Sequence, residues 1–224
     1  MYTILTFSYL LLPLTLLFAK KQWKDLVPIL LAAYGVFAFT YLLIDPAKVP
    51  VRYQAAYALS YTSIEYLFFS FLFFNAIKSR LFRKVILMLS VAFLVFQVVF
   101  YFQVKDDQFR LDTIPIGVET ILLFIYTFFF FYDSMKVTSH FNLYNSFAFW
   151  IAVGILLYLG VSFFLYILAN DMNQEEIDLY WPVTYVAEMI KNLVFCVAIF
   201  MYRPKNNDPK KNFRASQDGI PHLI

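Results

Sequence analysis

Four ionisable side chains lie within long apolar runs of this chain, where charge is energetically costly. Glu65, Glu119, Glu188 and Lys191 all have mostly hydrophobic neighbours along the sequence. A charge at the centre of a membrane helix costs at least about 2.5–3.5 kcal/mol, so such residues usually pair or face a cavity. Three acids against one base leave a surplus of negative charge, which a proton or a bound cation would neutralise. The pattern therefore favours a site for a cation, an amine or a proton.

The last apolar run carries a polar stripe. Thr184, Glu188, Lys191 and Asn192 are spaced at i, i+4, i+7 and i+8, which places them on one face of a helix. We expect this face to point into the interior of a helix bundle. Two interpretations stay open. Either Glu188 and Lys191 form a local ion pair that makes the helix tolerable in lipid, or the stripe binds a ligand.

Two tyrosines are placed to support the acids. Tyr61 lies one turn before Glu65, and Tyr126 lies two turns after Glu119 on the same helix face. We expect their hydroxyl groups to hydrogen bond with the carboxylates or with a ligand. Glu65 and Lys191 lie about 16–18 Å from the outer helix ends, at about 1.5 Å of rise per residue. The four charged residues are therefore predicted to line one pocket that opens to the outside.

The elements that position these residues are membrane helices. Hydrophobic residues make up 62% of the 224 residues and charged residues only 15%. Apolar runs of about 18 or more residues are typical of membrane spans. The first run lacks the basic start of a signal peptide, so we expect it to be retained. The sequence predicts an all-α polytopic bundle of about seven transmembrane helices, near residues 2–19, 25–44, 54–76, 84–103, 113–132, 145–168 and 180–202.

The basic residues predict the orientation of the bundle. With the N-terminus outside, thirteen Lys and Arg residues fall on the inner side and four on the outer side. Cytoplasmic loops carry the excess of these residues, so we expect an outside N-terminus and a cytoplasmic C-terminus in the cell inner membrane. Residues 1–203 form the predicted transmembrane domain. Residues 204–224 form a polar cytoplasmic tail that is predicted to be disordered.

The usual signatures of catalysis are missing from the sequence. Both histidines, His140 and His222, lie outside the predicted spans, and Cys196 is the single cysteine. There is no cluster with metal-ligand spacing and no nucleotide or hydrolase motif. We therefore expect no enzyme activity, no metal, no cofactor and no nucleic-acid partner. A lipid-active enzyme that works through carboxylates is kept as the third alternative.

A lysine in the seventh span, with the N-terminus outside, is similar to the retinal-binding pattern of microbial rhodopsins. In that family the lysine forms a Schiff base with retinal. Here Glu188 lies three residues before Lys191, whereas the family places an acid four residues before its lysine. Arg52-Tyr53 is followed by Gln54-Ala55, where the family has an aspartate-tryptophan pair. The resemblance is limited to one residue type and a helix count, so it does not favour retinal binding.

A resemblance over most of the chain is to the small seven-helix inner-membrane proteins common in Bacteroidota. Genes of that family often lie near sensor histidine kinases, so the resemblance implies a sensory or accessory membrane role. It supplies no reaction, ligand or catalytic residue. The segments that carry it are Ile64-Glu65-Tyr66-Leu67-Phe68-Phe69-Ser70, Val118-Glu119-Thr120, Phe149-Trp150-Ile151, Gly154-Ile155-Leu156-Leu157-Tyr158 and Ile190-Lys191-Asn192-Leu193.

The leading functional expectation is a receptor-like or signalling-accessory membrane protein. Its expected partners are the lipid bilayer, a small ligand or cation, and a signalling partner at the cytoplasmic face. The alternative is a small proton- or cation-coupled transporter that uses the same carboxylates. The ligand-binding residues predicted for either role are Glu65, Glu119, Glu188, Lys191, Thr184, Asn192, Tyr61 and Tyr126.

Overall fold

Helices account for 91% of the residues that the structure describes, and no strand occurs among those residues. The structure is a computed structural model, and it describes residues 1–19, 26–44, 48–103, 113–137, 146–168 and 172–202. The all-α prediction is confirmed. Eight helices are seen in these ranges: α1 Tyr2–Ser8, α2 Leu11–Phe18, α3 Leu26–Leu42, α4 Val51–Ala76, α5 Arg80–Gln103, α6 Thr113–Val137, α7 Phe147–Leu168 and α8 Gln174–Met201.

These helices match the seven predicted spans, with α1 and α2 together forming the first. Four of them, α5 to α8, are long and apolar enough to cross a membrane, and Tyr2–Phe18 and Leu26–Leu42 are shorter apolar stretches. The helix α4 is longer than α5, α6 and α7 but more polar, since it carries Ser60, Ser63 and Glu65. Several apolar helices in one chain are consistent with a membrane protein. The predicted tail, residues 204–224, lies outside the described residues.

Six of the seven spans close a ring. The α1–α2 span packs on α3 and α8, α3 packs on α4, α4 on α6, α6 on α7, and α7 on α8. The helix α5 packs against α4 and α6 from outside this ring. Accordingly only 22% of its most apolar segment is buried, against 39% for α6, α7 and α8. The interior that positions a site is therefore shared by every span except α5.

The two ends of the bundle are defined by tertiary contacts. The Tyr2 hydroxyl donates to the carbonyl of Leu42, 2.6 Å away, so α1 begins where α3 ends. We call this the Tyr2 end. At the opposite end, the last residue of α4, Ala76, and the residue after α8, Tyr202, line one cavity. We call this the Tyr202 end.

The first span is broken because of a proline. Pro13 has no N–H group, so it cannot donate a helical hydrogen bond to the carbonyl of Tyr9. The helix α1 ends at Ser8. The Leu12 N–H donates instead to the Tyr9 carbonyl, three residues earlier, at a distance of 3.3 Å. The break brings the backbone of Tyr9 against α3. There, a Cβ atom on Gly35 would lie 2.6 Å from the Tyr9 carbonyl oxygen.

Three side chains fix two helix starts that apolar runs alone do not show. Asp133 on α6 accepts hydrogen bonds from the backbone N–H groups of Lys78 (2.6 Å) and Ser79 (3.2 Å), just before α5. Asn173 and Glu176 form a reciprocal capping box at the start of α8. The structure therefore begins α5 at Arg80 and α8 at Gln174, four and six residues before the predicted spans 84–103 and 180–202.

The close approach at Gly35 yields a stability prediction. We expect Gly35→Ala to destabilise the protein by about 1–3 kcal/mol, because the added methyl group would overlap backbone as well as side chain. Gly160→Ala is the matched control, since no atom outside its own helix turn lies within 4 Å of a Cβ atom there. Thermal unfolding of both variants in detergent measures the difference. Equal midpoints for the two variants would contradict the close contact.

Candidate functional site: a buried ion pair beside an acidic cavity

A buried ion pair joins the seventh span to the third. The Lys191 ammonium on α8 lies 3.1 Å from Oε1 of Glu65 on α4, and the two side chains are 0% and 6% exposed. Tyr34 on α3 connects the same two groups. Its hydroxyl accepts a hydrogen bond from Lys191 (3.0 Å) and donates one to Glu65 (2.6 Å). Three spans are thus tied together by one lysine.

Aromatic rings surround the rest of the Lys191 ammonium. The ring centroid of Tyr158 lies 4.1 Å from Nζ, and those of Tyr34, Phe69 and Tyr9 lie 5.4, 5.5 and 5.7 Å away. A cation within about 6 Å of a ring face is attracted by the ring quadrupole. The rings and the two hydrogen bonds together offset the desolvation that burial of an ion pair requires.

The polar stripe of α8 also contacts the break in the first span. The Tyr9 hydroxyl donates to Oε2 of Glu188 (3.1 Å), and the side-chain amide of Asn192 donates to the hydroxyl of Ser8 (2.8 Å). Glu188 is therefore not the partner of Lys191, although the two lie three residues apart. The broken first span therefore supplies a hydrogen-bond partner to each of two polar α8 residues.

A small cavity of about 60 Å³ lies between α4, α6, α7 and α8. One water molecule occupies roughly 30 Å³ of liquid, so this space suits one or two waters or one small ion. A drug-sized ligand needs about 300–1,000 Å³. The residues that line the cavity are Tyr61, Thr62, Glu65, Phe69, Ile116, Glu119, Thr120, Leu123, Tyr158, Leu159 and Glu188.

The cavity carries more negative charge than its surroundings neutralise. Glu65, Glu119 and Glu188 line it, and Lys191 is matched to Glu65. Glu119 is only 6% exposed, and its Oε1 atom has no hydrogen-bond partner. An unpaired buried carboxylate is costly unless a proton or a cation neutralises it. The groups that line this cavity could therefore hold a proton or a small cation.

The structure places the eight predicted site residues in three groups. Glu65, Glu119, Glu188 and Tyr61 line the cavity, and Lys191 contacts it through Glu65. Asn192 faces the break in the first span. The other two lie elsewhere: the Thr184 hydroxyl donates to the Trp181 carbonyl of its own helix, and the Tyr126 hydroxyl bonds with that of Tyr66, 2.7 Å away.

The Tyr126 side chain does not line the cavity. Two residues on one helix face can still lie at different positions along the helix axis. Tyr126 lies seven residues after Glu119, which is about 10.5 Å along a helix. At that level α6 faces α5, and the Tyr126 hydroxyl lies 3.4 Å from the carbonyl of Ile86. The predicted contact of Tyr126 with the carboxylates is not present in the structure.

Several residues of the site carry no signal in the sequence. Tyr9, Tyr34, Phe69 and Tyr158 surround Lys191, yet the chain contains 17 tyrosines and 28 phenylalanines. No spacing rule separates these four from the rest. Their role follows only from the order in which the helices pack.

The carboxylates do not form a multidentate metal site. Within the part of the chain that the structure describes, no three His, Cys, Asp or Glu side chains are grouped to hold a metal ion. Lys191 does face an acid on the third span, as a retinal Schiff base would. However, a cavity of about 60 Å³ is several times too small for a ligand of that size.

A larger cavity of about 410 Å³ lies at the Tyr202 end of the bundle. Its lining contains no ionisable carboxylate, lysine or arginine, so it is separate from the charged site. The residues that line it are Val27, Leu72, Phe73, Asn75, Ala76, Ser146, Phe147, Ala148, Ile151 and Tyr202.

No protein-family model, no curated protein and no solved structure matches the chain.

The ion pair yields a coupled-stability prediction. We expect Lys191→Met to destabilise the protein by about 3–5 kcal/mol, because Glu65 would remain buried without its cation. Adding Glu65→Gln to that variant should recover a large part of the loss, since the second charge is removed. A double-mutant cycle measured by thermal unfolding in detergent gives the coupling. Strictly additive losses would mean that the two charges do not stabilise each other.

Proposed function

We propose that this chain is a non-enzymatic, receptor-like or signalling-accessory membrane protein that responds to a proton or a small monovalent cation. The observation that carries the proposal is the buried, unpartnered carboxylate of Glu119 in a cavity that holds three acids. The residues in the ligand-binding role are Glu65, Glu119 and Glu188, with Tyr61 and Thr120 at the same cavity. Lys191 holds Glu65 in place.

The size and charge of the cavity select the ligand. About 60 Å³ admits a proton with water, sodium, potassium or ammonium and no larger solute. The surplus of acid favours a cation over an anion. The divalent ions Mg²⁺ and Ca²⁺ are poorer matches, because each binds six or more oxygen ligands.

The contacts around the cavity offer a route from binding to helix movement. Glu188 holds Tyr9 of the broken span, and Glu65 holds Tyr34 of α3 and Lys191 of α8. A bound cation would draw on the same carboxylate oxygens that these partners use. Ligand binding and helix packing are then coupled through one set of atoms, which is the requirement for a two-state response.

The membrane placement of the proposal rests on the positive-inside pattern. It puts the Tyr2 end outside and the Tyr202 end at the cytoplasmic face of the inner membrane, with all seven spans in the bilayer. Described basic residues at the Tyr202 end include Lys78, Arg80, Arg83, Lys84 and Lys136. A signalling partner would dock there, as the resemblance to the Bacteroidota proteins implies.

One observation favours transport as a second candidate. The first span is broken at Tyr9, beside Glu188, and interrupted helices commonly form the ion sites of secondary transporters. In that case the same carboxylates would carry a proton or a cation between the two sides. Reconstituted vesicles distinguish the candidates: flux driven by a pH or sodium gradient supports transport, and binding without flux supports a receptor.

A binding experiment tests the proposed ligand class. Purified protein in detergent is compared in sodium, potassium, ammonium and choline chloride at equal ionic strength, and across neutral to mildly acidic pH. A cation present at 100 times its dissociation constant should add about 2.7 kcal/mol of stability, and choline should add none because it exceeds the cavity. Glu119→Gln should reduce the ion and pH response.

The control for this experiment is a second carboxylate that lies away from the cavity. Glu175, exposed in the first turn of α8, is replaced by Gln. We expect Glu175→Gln to keep the response of the wild type. If wild type and Glu119→Gln respond alike to every ion and to pH, the cavity is not the binding site.

A further inference from the structure

Three basic side chains cluster where α5 begins, at the Tyr202 end of the bundle. Arg80, Arg83 and Lys84 line a surface recess of about 250 Å³ together with Phe74 of α4 and Leu87. The wall of the recess is almost entirely apolar, and the three basic residues that border it form what we call its cationic rim. The recess is separate from the acidic cavity, with which it shares no lining residue.

The cationic rim is held in position, and no acid among the described residues neutralises it. The Arg83 guanidinium lies 4.2 Å from the ring centroid of Phe74, which fixes it across the recess. Among the described residues, no carboxylate lies within 4.0 Å of the charged groups of Arg80, Arg83 or Lys84. Asp133, the acid near this turn, is engaged by backbone N–H groups of residues 78 and 79.

An apolar column continues from the recess along the outer face of α5. Leu87, Val91 and Val95 recur at i, i+4 and i+8 and are 58%, 56% and 57% exposed, beside Met88 at 72%. Because α5 packs outside the ring, this column faces away from the bundle. It extends about 12 Å from Leu87 to Val95, at about 1.5 Å per residue, which suits part of an acyl chain.

We propose that this recess binds an anionic phospholipid. The lipid phosphate would lie between Arg80, Arg83 and Lys84, and one acyl chain would follow the exposed column of α5. The proposal requires that the bundle spans a bilayer, where basic recesses between helix ends recognise acidic headgroups. It commits to a membrane lipid because the charged rim and the apolar column are continuous on one helix.

The test compares lipid binding by the full-length protein in detergent. Native mass spectrometry or a fluorescent-lipid titration is carried out with phosphatidylglycerol and with phosphatidylcholine. We expect saturable binding of phosphatidylglycerol that weakens by at least about tenfold when Arg80, Arg83 and Lys84 are all replaced by Gln. Phosphatidylcholine should bind more weakly and should not distinguish the variants.

A charge-matched control separates a defined site from general attraction. Lys136 lies at the same end of the bundle, with its ammonium 4.4 Å from the Tyr132 ring centroid and outside the recess. Lys136→Gln should bind phosphatidylglycerol as the wild type does. A loss with Lys136→Gln that equals the loss with Arg83→Gln would overturn the proposal, since it would show attraction without a site.

Three further measurements keep the outcome decisive. Glycerol phosphate, which has the phosphate but no acyl chains, should bind much more weakly than the lipid; equal binding would assign the recess to a free phosphate and overturn the lipid proposal. Arg83→Gln serves alone if the triple variant does not fold. Glu119→Gln should leave lipid binding unchanged. The lipid proposal and the proposed ion response can therefore be refuted independently of each other.

Discussion

Burial of the Lys191 ammonium is the constraint on which the rest of the bundle depends. A lysine that is fully buried must find an anion and further electron-rich partners within a few ångströms, or the folded state is strongly disfavoured. Lys191 obtains these from four different spans: Tyr9 from the first, Tyr34 from α3, Glu65 and Phe69 from α4, and Tyr158 from α7. Each of these spans belongs to the ring that α8 completes. The helix α5, which supplies no partner to this lysine, lies outside the ring.

The break in the first span has a separate cause, which is Pro13. A straight helix over residues 2–18 would need every internal carbonyl to receive an N–H group, and Pro13 removes the one that Tyr9 would use. The resulting break presents Ser8 and Tyr9 to Asn192 and Glu188. It also lets α3 approach so closely that Gly35 has no room for a Cβ atom. A proline, a glycine and two polar pairs thus form one local arrangement, although they lie far apart in the sequence.

The sequence predicts the spans and the interior location of the charges, because both depend on local properties. An apolar run identifies a membrane helix wherever it lies, and burial of Glu65, Glu119 and Lys191 follows from their positions within such runs. The partner of each charge depends on which helices meet. Spacing alone allowed Glu188 to pair with Lys191, whereas the structure pairs Lys191 with Glu65, 126 positions away. Helix starts were missed where polar caps, such as Asn173, extend a helix beyond its apolar segment.

Two of the three acids that line the cavity are held differently, and this difference bears on the proposed response. Glu65 has a cation and a tyrosine as partners, so its charge is compensated and its position is fixed. Oε1 of Glu119 has neither a cation nor a tyrosine hydroxyl as a hydrogen-bond partner. A proton or cation that enters would change the free energy of Glu119 most, since that carboxylate has the most uncompensated charge. Glu188 lies between these extremes, since the Tyr9 hydroxyl of the broken span donates to it. Its contact with Tyr9 directly links the cavity to the first span.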